Sequence, residues 1–262
     1  MQWWCSAQTA PWEWTWQPYV GVWIVVALLV AGYVGLRRRY PASSAPERGT
    51  TRTAAFAAAV GCLWLALDWP VGALAGYLAS AHMVQFLLVG LIAPPLFLYA
   101  VPDGAWTAWA ERGPGRFARF STHPLVALVI FNGLVILTHW PPVVDGLMVT
   151  QAGSFVINVA WIVAGTAFWW PVVAPVPERP GFGYLLKIGY LIAATITTAA
   201  PFLFLTFSEL PVYAVYELAP PIEGISERAD QQAAGLLMKL GGAVVLWVGI
   251  AVLFYRWWVE ET

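Results

Sequence analysis

Apolar residues in this chain come in long blocks separated by short polar connections. With a window of about 19 residues, seven blocks are counted, at 19–36, 53–67, 74–100, 124–140, 147–173, 184–207 and 231–257. A helix rises about 1.5 Å per residue, so about 20 apolar residues cross the hydrocarbon core of a bilayer. The pattern predicts an all-α fold, a polytopic membrane helical bundle of seven transmembrane helices over 19–258, with a short cytoplasmic tail at 259–262. The block at 53–67 is short for a span and is expected to extend toward Trp69 or to tilt.

The connections differ in charge, and the asymmetry orients the bundle. Arg37, Arg38, Arg39, Arg48 and Arg52 lie between the first two blocks, and Arg112, Arg116 and Arg119 follow the third. Arg179 follows the fifth, Lys187 begins the sixth and Arg256 closes the seventh. The alternate connections hold Asp68, Asp145, Glu209, Glu217, Glu223, Glu227 and Asp230 against one cation, Arg228. Short loops rich in Lys and Arg stay in the cytoplasm, so the N-terminus is expected outside and the C-terminus inside.

Residues 1–18 hold Trp3, Trp4, Trp12, Trp14 and Trp16, rings that favour the headgroup layer, and the segment is expected to lie on the outer membrane surface with Cys5 exposed in it. It lacks the basic start and continuous apolar core of a cleavable signal peptide. The longest outer connection, 208–230, combines Pro211, Pro220 and Pro221 with Tyr213 and Tyr216, and reads either as a cap over the outer mouth or as an ordinary loop. No internal repeat is visible, so the inverted-repeat signature of many secondary transporters is missing.

Composition acts by exclusion. The chain is 60% hydrophobic and 10% charged, with a net charge of −1, against roughly 25% charged residues in a soluble domain. No clustered basic stripe offers a surface to nucleic acid. Cys5 and Cys62, one in the tail and one in a span, make a poor disulfide pair.

The third block gathers the chemistry. It has no full charge, yet it carries Ser80, His82, Met83 and Gln85 on consecutive turns. Polar side chains at that depth are costly unless they face a protein interior or a ligand. Given the orientation, His82, Met83, Cys62, His139, Met148 and Met238 all fall in the outer half. Imidazole with thioether or thiolate suits copper(I), whereas carboxylate and water sets suit magnesium or calcium. Plainer readings stand beside this one. Met148 and Met238 taken alone read as packing, Cys62 as a small buried hydrophobe, and His139 as an interfacial anchor beside Trp140. His82, inside a polar group, is the functional candidate.

Prolines shape two blocks. Pro94 and Pro95 must kink or interrupt the third, and Pro201 does the same in the sixth after Thr195, Thr197 and Thr198, whose hydroxyls can satisfy freed carbonyls. Lys239 in the seventh lacks the buried acid that a retinal Schiff base requires, and is expected to snorkel outward or pair with Asp68.

Ser80-x-His82-Met83-x-Gln85, followed by Pro94-Pro95 and Pro102, resembles the third-span pattern of the CtaG family of cytochrome c oxidase assembly proteins. The ordered set continues through His139 and Asp145, Phe168-Trp169-Trp170-Pro171, Pro211-x-Tyr213-x-x-Tyr216 and Asp230-Gln231-x-x-Ala234-Gly235-x-x-Met238, covering most of 69–238. The resemblance implies a seven-span protein of a bacterial-type plasma membrane that helps to mature haem–copper oxidases. It also implies a role in copper supply, oxidase subunits as partners, and no enzymatic activity in the usual sense. By resemblance, His82, Met83, His139, Asp230, Gln231 and Met238 carry over as candidate functional positions; His82, Met83, His139 and Met238 are the candidate ligands for copper(I), with Ser80 and Gln85 as further candidate positions beside Asp230 and Gln231. The chain departs from the pattern at Phe86, Ser154 and Asn158, where the family often has histidines, and at Lys239, where an aromatic residue is usual. Two other functions remain in play: a structural accessory subunit bound to an oxidase complex without metal, and a small-molecule transporter around the proline-broken spans.

Overall fold

The computed structural model describes residues 2–41, 46–113, 120–121, 123–175, 182–197 and 199–261, and among these every regular element is a helix. In chain order the helices are α1 (Val20–Arg39), α2 (Pro46–Leu67), α3 (Val71–Leu74), α4 (Ala79–Phe86), a π-helical stretch π1 (Leu87–Ile92), α5 (Ala93–Ala100) and α6 (Asp103–Arg112). They continue as α7 (Pro124–Thr138), α8 (Pro141–Leu147), α9 (Gln151–Val173), α10 (Tyr184–Thr197), α11 (Ala199–Phe207), α12 (Ala214–Glu217), α13 (Glu227–Leu236), π2 (Leu237–Gly241) and α14 (Gly242–Glu261). Five described helices are long and apolar enough to cross a membrane: Val20–Arg39, Gly49–Leu74, Ala79–Ala100, Gln151–Val173 and Glu227–Glu261. A sixth is added if Pro124–Thr138 and Pro141–Leu147, bent by 68° at their break, count as one span. The second block thus extends past Trp69, one of the two expected outcomes. The block at 184–207 is divided between α10 and α11, with Thr198 outside the described residues.

The continuous unit α4–π1–α5 lies at the centre. It packs against α2 on one side, α9 on another, and α13 and π2 on a third, whereas α1 is peripheral and buries only Val22. Pro94 and Pro95 lack the N–H groups that would bond to the carbonyls of Gly90 and Leu91, and their rings crowd the preceding turn. The helix answers by widening into π1 instead of breaking. Gly165 of α9 crosses here with no room for a side chain, since a Cβ would strike the Gly90 carbonyl and the Pro94 ring.

α10 packs along α14, and α11 along α13. The Tyr184 hydroxyl donates to Glu260 at the far end of α14 over 2.6 Å, and the loop after α11 is tied to Gln231 in α13, whose Oε1 accepts from the Val212 N–H at 2.7 Å. The pair is therefore antiparallel to α13–π2–α14 from end to end.

Charge is segregated along the axis. Arg37 donates to the Gly49 carbonyl; Arg52 reaches the carbonyl of Val101 and pairs with Asp103; Lys187 donates to the Val172 carbonyl. These contacts bring the cations of α1, α2 and α10 to one end, with Arg256 near the close of α14. Arg116, Arg119 and Arg179 lie outside the described residues.

Two expectations are corrected. Cys5 is 1% exposed, and Trp4 2%: the chain from Trp4 to Ala7 inserts into the bundle instead of resting on it. Its contacts explain why, because Trp4 Nε1 donates to Asn158 Oδ1 at 2.8 Å and the Ala7 N–H donates to the Met148 carbonyl at 2.8 Å. Gly76 permits the close approach, since a Cβ there would strike the Ser6 carbonyl. Lys239 neither pairs with Asp68 nor snorkels free, because its ammonium donates to the Thr195 carbonyl at 2.9 Å.

Candidate functional site

The third membrane helix starts later than the apolar block suggests. Leu78 is extended (φ −124°, ψ 130°) and α4 begins at Ala79, so His82 sits one turn from a helix start. That start is closed from another helix. The carboxylate of Asp230 accepts from the Ala79 N–H at 2.7 Å, from the Ser80 N–H at 3.1 Å, and from the Ser80 hydroxyl. The first N–H groups of a helix have no partner within it, and a carboxylate there is favoured by the helix dipole as well. Ser80 and Asp230 thereby fix where His82 stands.

His139 is fixed by a bend. Trp140, before Pro141, is extended (φ −74°, ψ 129°), the conformation that a following proline enforces. α7 therefore stops at Thr138, leaving the His139 side chain inside the turn. Its Nδ1 lies 2.8 Å from the Val135 carbonyl. A carbonyl oxygen only accepts, so Nδ1 carries the proton and Nε2 holds a free lone pair.

The two imidazoles meet. Their centroids are 6.3 Å apart, and His82 is fully buried while His139 is 4% exposed. Trp161 walls both, 4.9 Å from the His82 ring and nearly parallel to His139 at 5.7 Å. Trp161 is held in turn, its Nε1 donating to the Thr138 hydroxyl at 2.9 Å. Phe86 meets His139 edge to face at 5.0 Å, and Tyr216 stands 6.0 Å from His82 on the opposite side. Both nitrogens of His82 and Nε2 of His139 are buried without a protein partner. Such groups are rare because an unpaired buried polar atom costs about 1–3 kcal/mol.

The connection before α13 closes over the pair. The Tyr213 hydroxyl donates to the His139 carbonyl at 2.8 Å, the Tyr216 hydroxyl to the Ala75 carbonyl at 3.3 Å, and the Val215 N–H to Asp145 at 3.0 Å. Burial pushes both phenols above their ordinary pKa, which keeps them neutral donors. Tyr213 and Tyr216 also line a cavity of about 350 Å³, with Glu217, Glu227 and Asp230 in its wall. The connection at 208–230 therefore folds back onto the helices that carry the imidazole pair.

The remaining sequence candidates divide. Met83 is fully buried and Met238 is 3% exposed, and π2, which carries Met238, packs on α4. Gln85 lies between two groups: its Nε2 donates to the Ala66 carbonyl at 2.9 Å and to the Cys5 sulfur at 3.3 Å, while its side chain also neighbours His82 and its Oε1 is buried without a partner. Gln231 ties that connection to α13, accepting from Val212 and donating to the Leu210 carbonyl at 3.3 Å. Met148 is buried core at 1% exposure, and Cys62 is half-buried and free. Among the described residues, no group of three or more His, Cys, Asp and Glu side chains is placed to hold a metal ion.

Trp161 escaped the sequence reading, because a tryptophan in an apolar span looks like any packing residue. Trp4 and Cys5 escaped it because their contacts, Asn158 and Gln85, are remote in the chain. Burial raises the Cys5 thiol to a pKa of about 11, with Gln85 working the other way, so the group is a neutral thiol.

Long apolar helices around a buried, capped imidazole pair define a polytopic α-helical membrane protein whose polar centre lies near one end of the bundle. A model of the cytochrome c oxidase caa3 assembly factor family, Caa3_CtaG, matches residues 27–260. The chain belongs to that family. It is 21% identical to an uncharacterized protein of Mycobacterium leprae over 164 residues, covering 48% of this chain and 25% of that one. Uncharacterized proteins of Mycobacterium bovis and Mycobacterium tuberculosis are each 24% identical over 189 residues, covering 65% of this chain and 28% of theirs. The chain thus spans about a quarter of the length of the curated relatives it matches. No solved structure matches it.

Proposed function

We propose that this protein is an integral assembly factor for a haem–copper terminal oxidase in a bacterial-type plasma membrane, and that it presents copper(I) to oxidase subunits from the outer side through His82 and His139. The observation that carries this reading is the orphaned imidazole pair. Two rings sharing one ion through metal–nitrogen bonds of about 2 Å have centroids about 6 Å apart, and the observed separation is 6.3 Å. The Nδ1–H···O=C bond of His139 has the form of an outer-shell contact that orients a metal-binding histidine. A two-nitrogen set supplemented by thioethers favours copper(I) over harder ions, and Met83 and Met238 lie with Met148 in the buried core of the bundle.

Seven crossings follow if α7–α8 and α10–α11 each count as one. The cation-rich end then faces the cytoplasm, with the N-terminus outside and the C-terminus inside. Copper is cargo here, taken up and passed on, and the protein catalyses no bond change.

A second reading, an accessory subunit without metal, draws on Phe86 against His139 and on the Trp4–Cys5 segment beside Asn158, where protein fills the interior. A deletion strain separates the two. Under the first reading the oxidase accumulates copper-depleted, wild-type protein restores it, and His82→Ala or His139→Ala present at normal level does not. Full rescue by both variants, with the protein co-purifying in equal amounts with the oxidase, establishes the second.

A further inference from the structure

A separate constellation lies at the end of the bundle that carries the buried N-terminal segment. Residues 8–19 fold back over the corner at 69–77 and enclose a cavity of about 230 Å³. Trp12, Glu13, Tyr19, Trp69 and Tyr77 are among its lining residues. Trp12 and Tyr77 stand edge to face at 5.3 Å, and Trp14 links Trp12 to Trp69, at 5.2 and 6.4 Å respectively. The cavity is level with the helix ends, because the apolar stretches around it start at Val20, stop at Leu74 and restart at Ala79. That is the depth of lipid headgroups.

Its polar groups are left open in a pattern of opposite signs. The indole nitrogens of Trp12 and Trp69 are both buried without an acceptor. An indole N–H can only donate, so each calls for an oxygen, best an anionic one. Glu13, exposed in the same wall, takes part in no ion pair among the described residues and is free to meet a cation. The aromatic faces around it attract one too, by the ring quadrupole. The Tyr77 hydroxyl is already engaged, donating to the Ala10 carbonyl at 2.9 Å, and adds nothing to either demand. Packing alone accounts for the rings but leaves two buried donors unanswered beside an unpaired carboxylate.

We propose that this cavity binds a zwitterionic phosphoammonium group, the headgroup of a phospholipid such as phosphatidylethanolamine. Phosphate oxygens accept from the indoles of Trp12 and Trp69, and the ammonium sits against the aromatic wall beside Glu13. An anionic lipid without an amine answers only half of the site. The inference is independent of the imidazole pair and of any metal.

Native mass spectrometry of the full chain in mild detergent tests it, with phosphatidylethanolamine and phosphatidylglycerol of identical chains offered in equal amounts. Wild-type protein retains the amine lipid about fivefold to tenfold over the anionic one. Glu13→Gln removes the charge at an exposed position, and Trp12→Phe keeps a ring while removing the N–H. Glu13→Gln brings the two lipids close to equal retention, Trp12→Phe lowers retention of both because both carry the phosphate, and His82→Ala leaves retention and preference intact. Phosphoethanolamine without chains forms a second arm. Weaker binding than the lipid assigns the site to the bilayer, and tighter binding assigns it to a dissolved ligand of the same chemistry. Equal retention of both lipids by wild-type protein, a preference unchanged in Glu13→Gln, or retention of both lipids unchanged in Trp12→Phe, overturns the proposal.

Discussion

Asp230 shows how much of the site depends on one side chain. It is 6% exposed and receives three donors from the start of α4. Asp230→Ala strands two backbone N–H groups and is expected to lower unfolding stability by about 2 kcal/mol, with Asp230→Asn losing roughly half as much; thermal unfolding in detergent measures both. The resemblance flagged Asp230 and Gln231 as functional, but it carried no sign that both work as fasteners, one for α4 and one for the connection at 208–230. Cys5 gives a prediction in pH. Its folded pKa is about 11 against an ordinary 9, so the folded state holds the proton more tightly than the unfolded chain. The sign follows directly: the contribution is whole below pH 9 and is lost as pH rises toward 11, a fall of about 2 to 3 kcal/mol. Unfolding of wild type and Cys5→Ala across that window is expected to show the steeper loss in wild type.

At the level of elements, the apolar blocks located most helices and misplaced their ends. The block at 74–100 begins five positions before α4, since a continuous apolar run cannot reveal that Gly76 and Tyr77 form a turn. The block at 147–173 likewise gives way to α9 starting at Gln151, capped by the Thr150 hydroxyl, which accepts from the Gly153 N–H at 3.0 Å. Pro94 and Pro95 announced an irregularity, and its form, a π turn, depends on how α9 crosses at Gly165. That crossing is testable. Gly165→Ala places a methyl group against Gly90 and Pro94 and is expected to destabilise by about 1 to 3 kcal/mol. Gly133→Ala, where a Cβ meets nothing within 4 Å, is expected to be neutral or mildly stabilising. Equal effects at the two positions would show that the crossing is looser than described.

Across the whole molecule, what was legible was what composition and local spacing control: an all-helical chain, long apolar spans, and cations gathered at one end. His82 was legible too, because a histidine in an uncharged apolar run is rare enough to stand out. What was not legible was long-range: the burial of Trp4 and Cys5, the Trp161 wall, and the closing of Tyr213 and Tyr216 over His139 and His82, each a contact between residues remote in the chain. These contacts convert a polar patch in a span into an enclosed pair of free imidazole lone pairs, and the proposed copper role rests on that pair. The most direct measurement is the copper content of purified protein loaded with copper(I) under reducing conditions, comparing wild type with His82→Ala and His139→Ala. About one copper per wild-type chain, lost in both variants, is the predicted result; equal copper in all three proteins would contradict it.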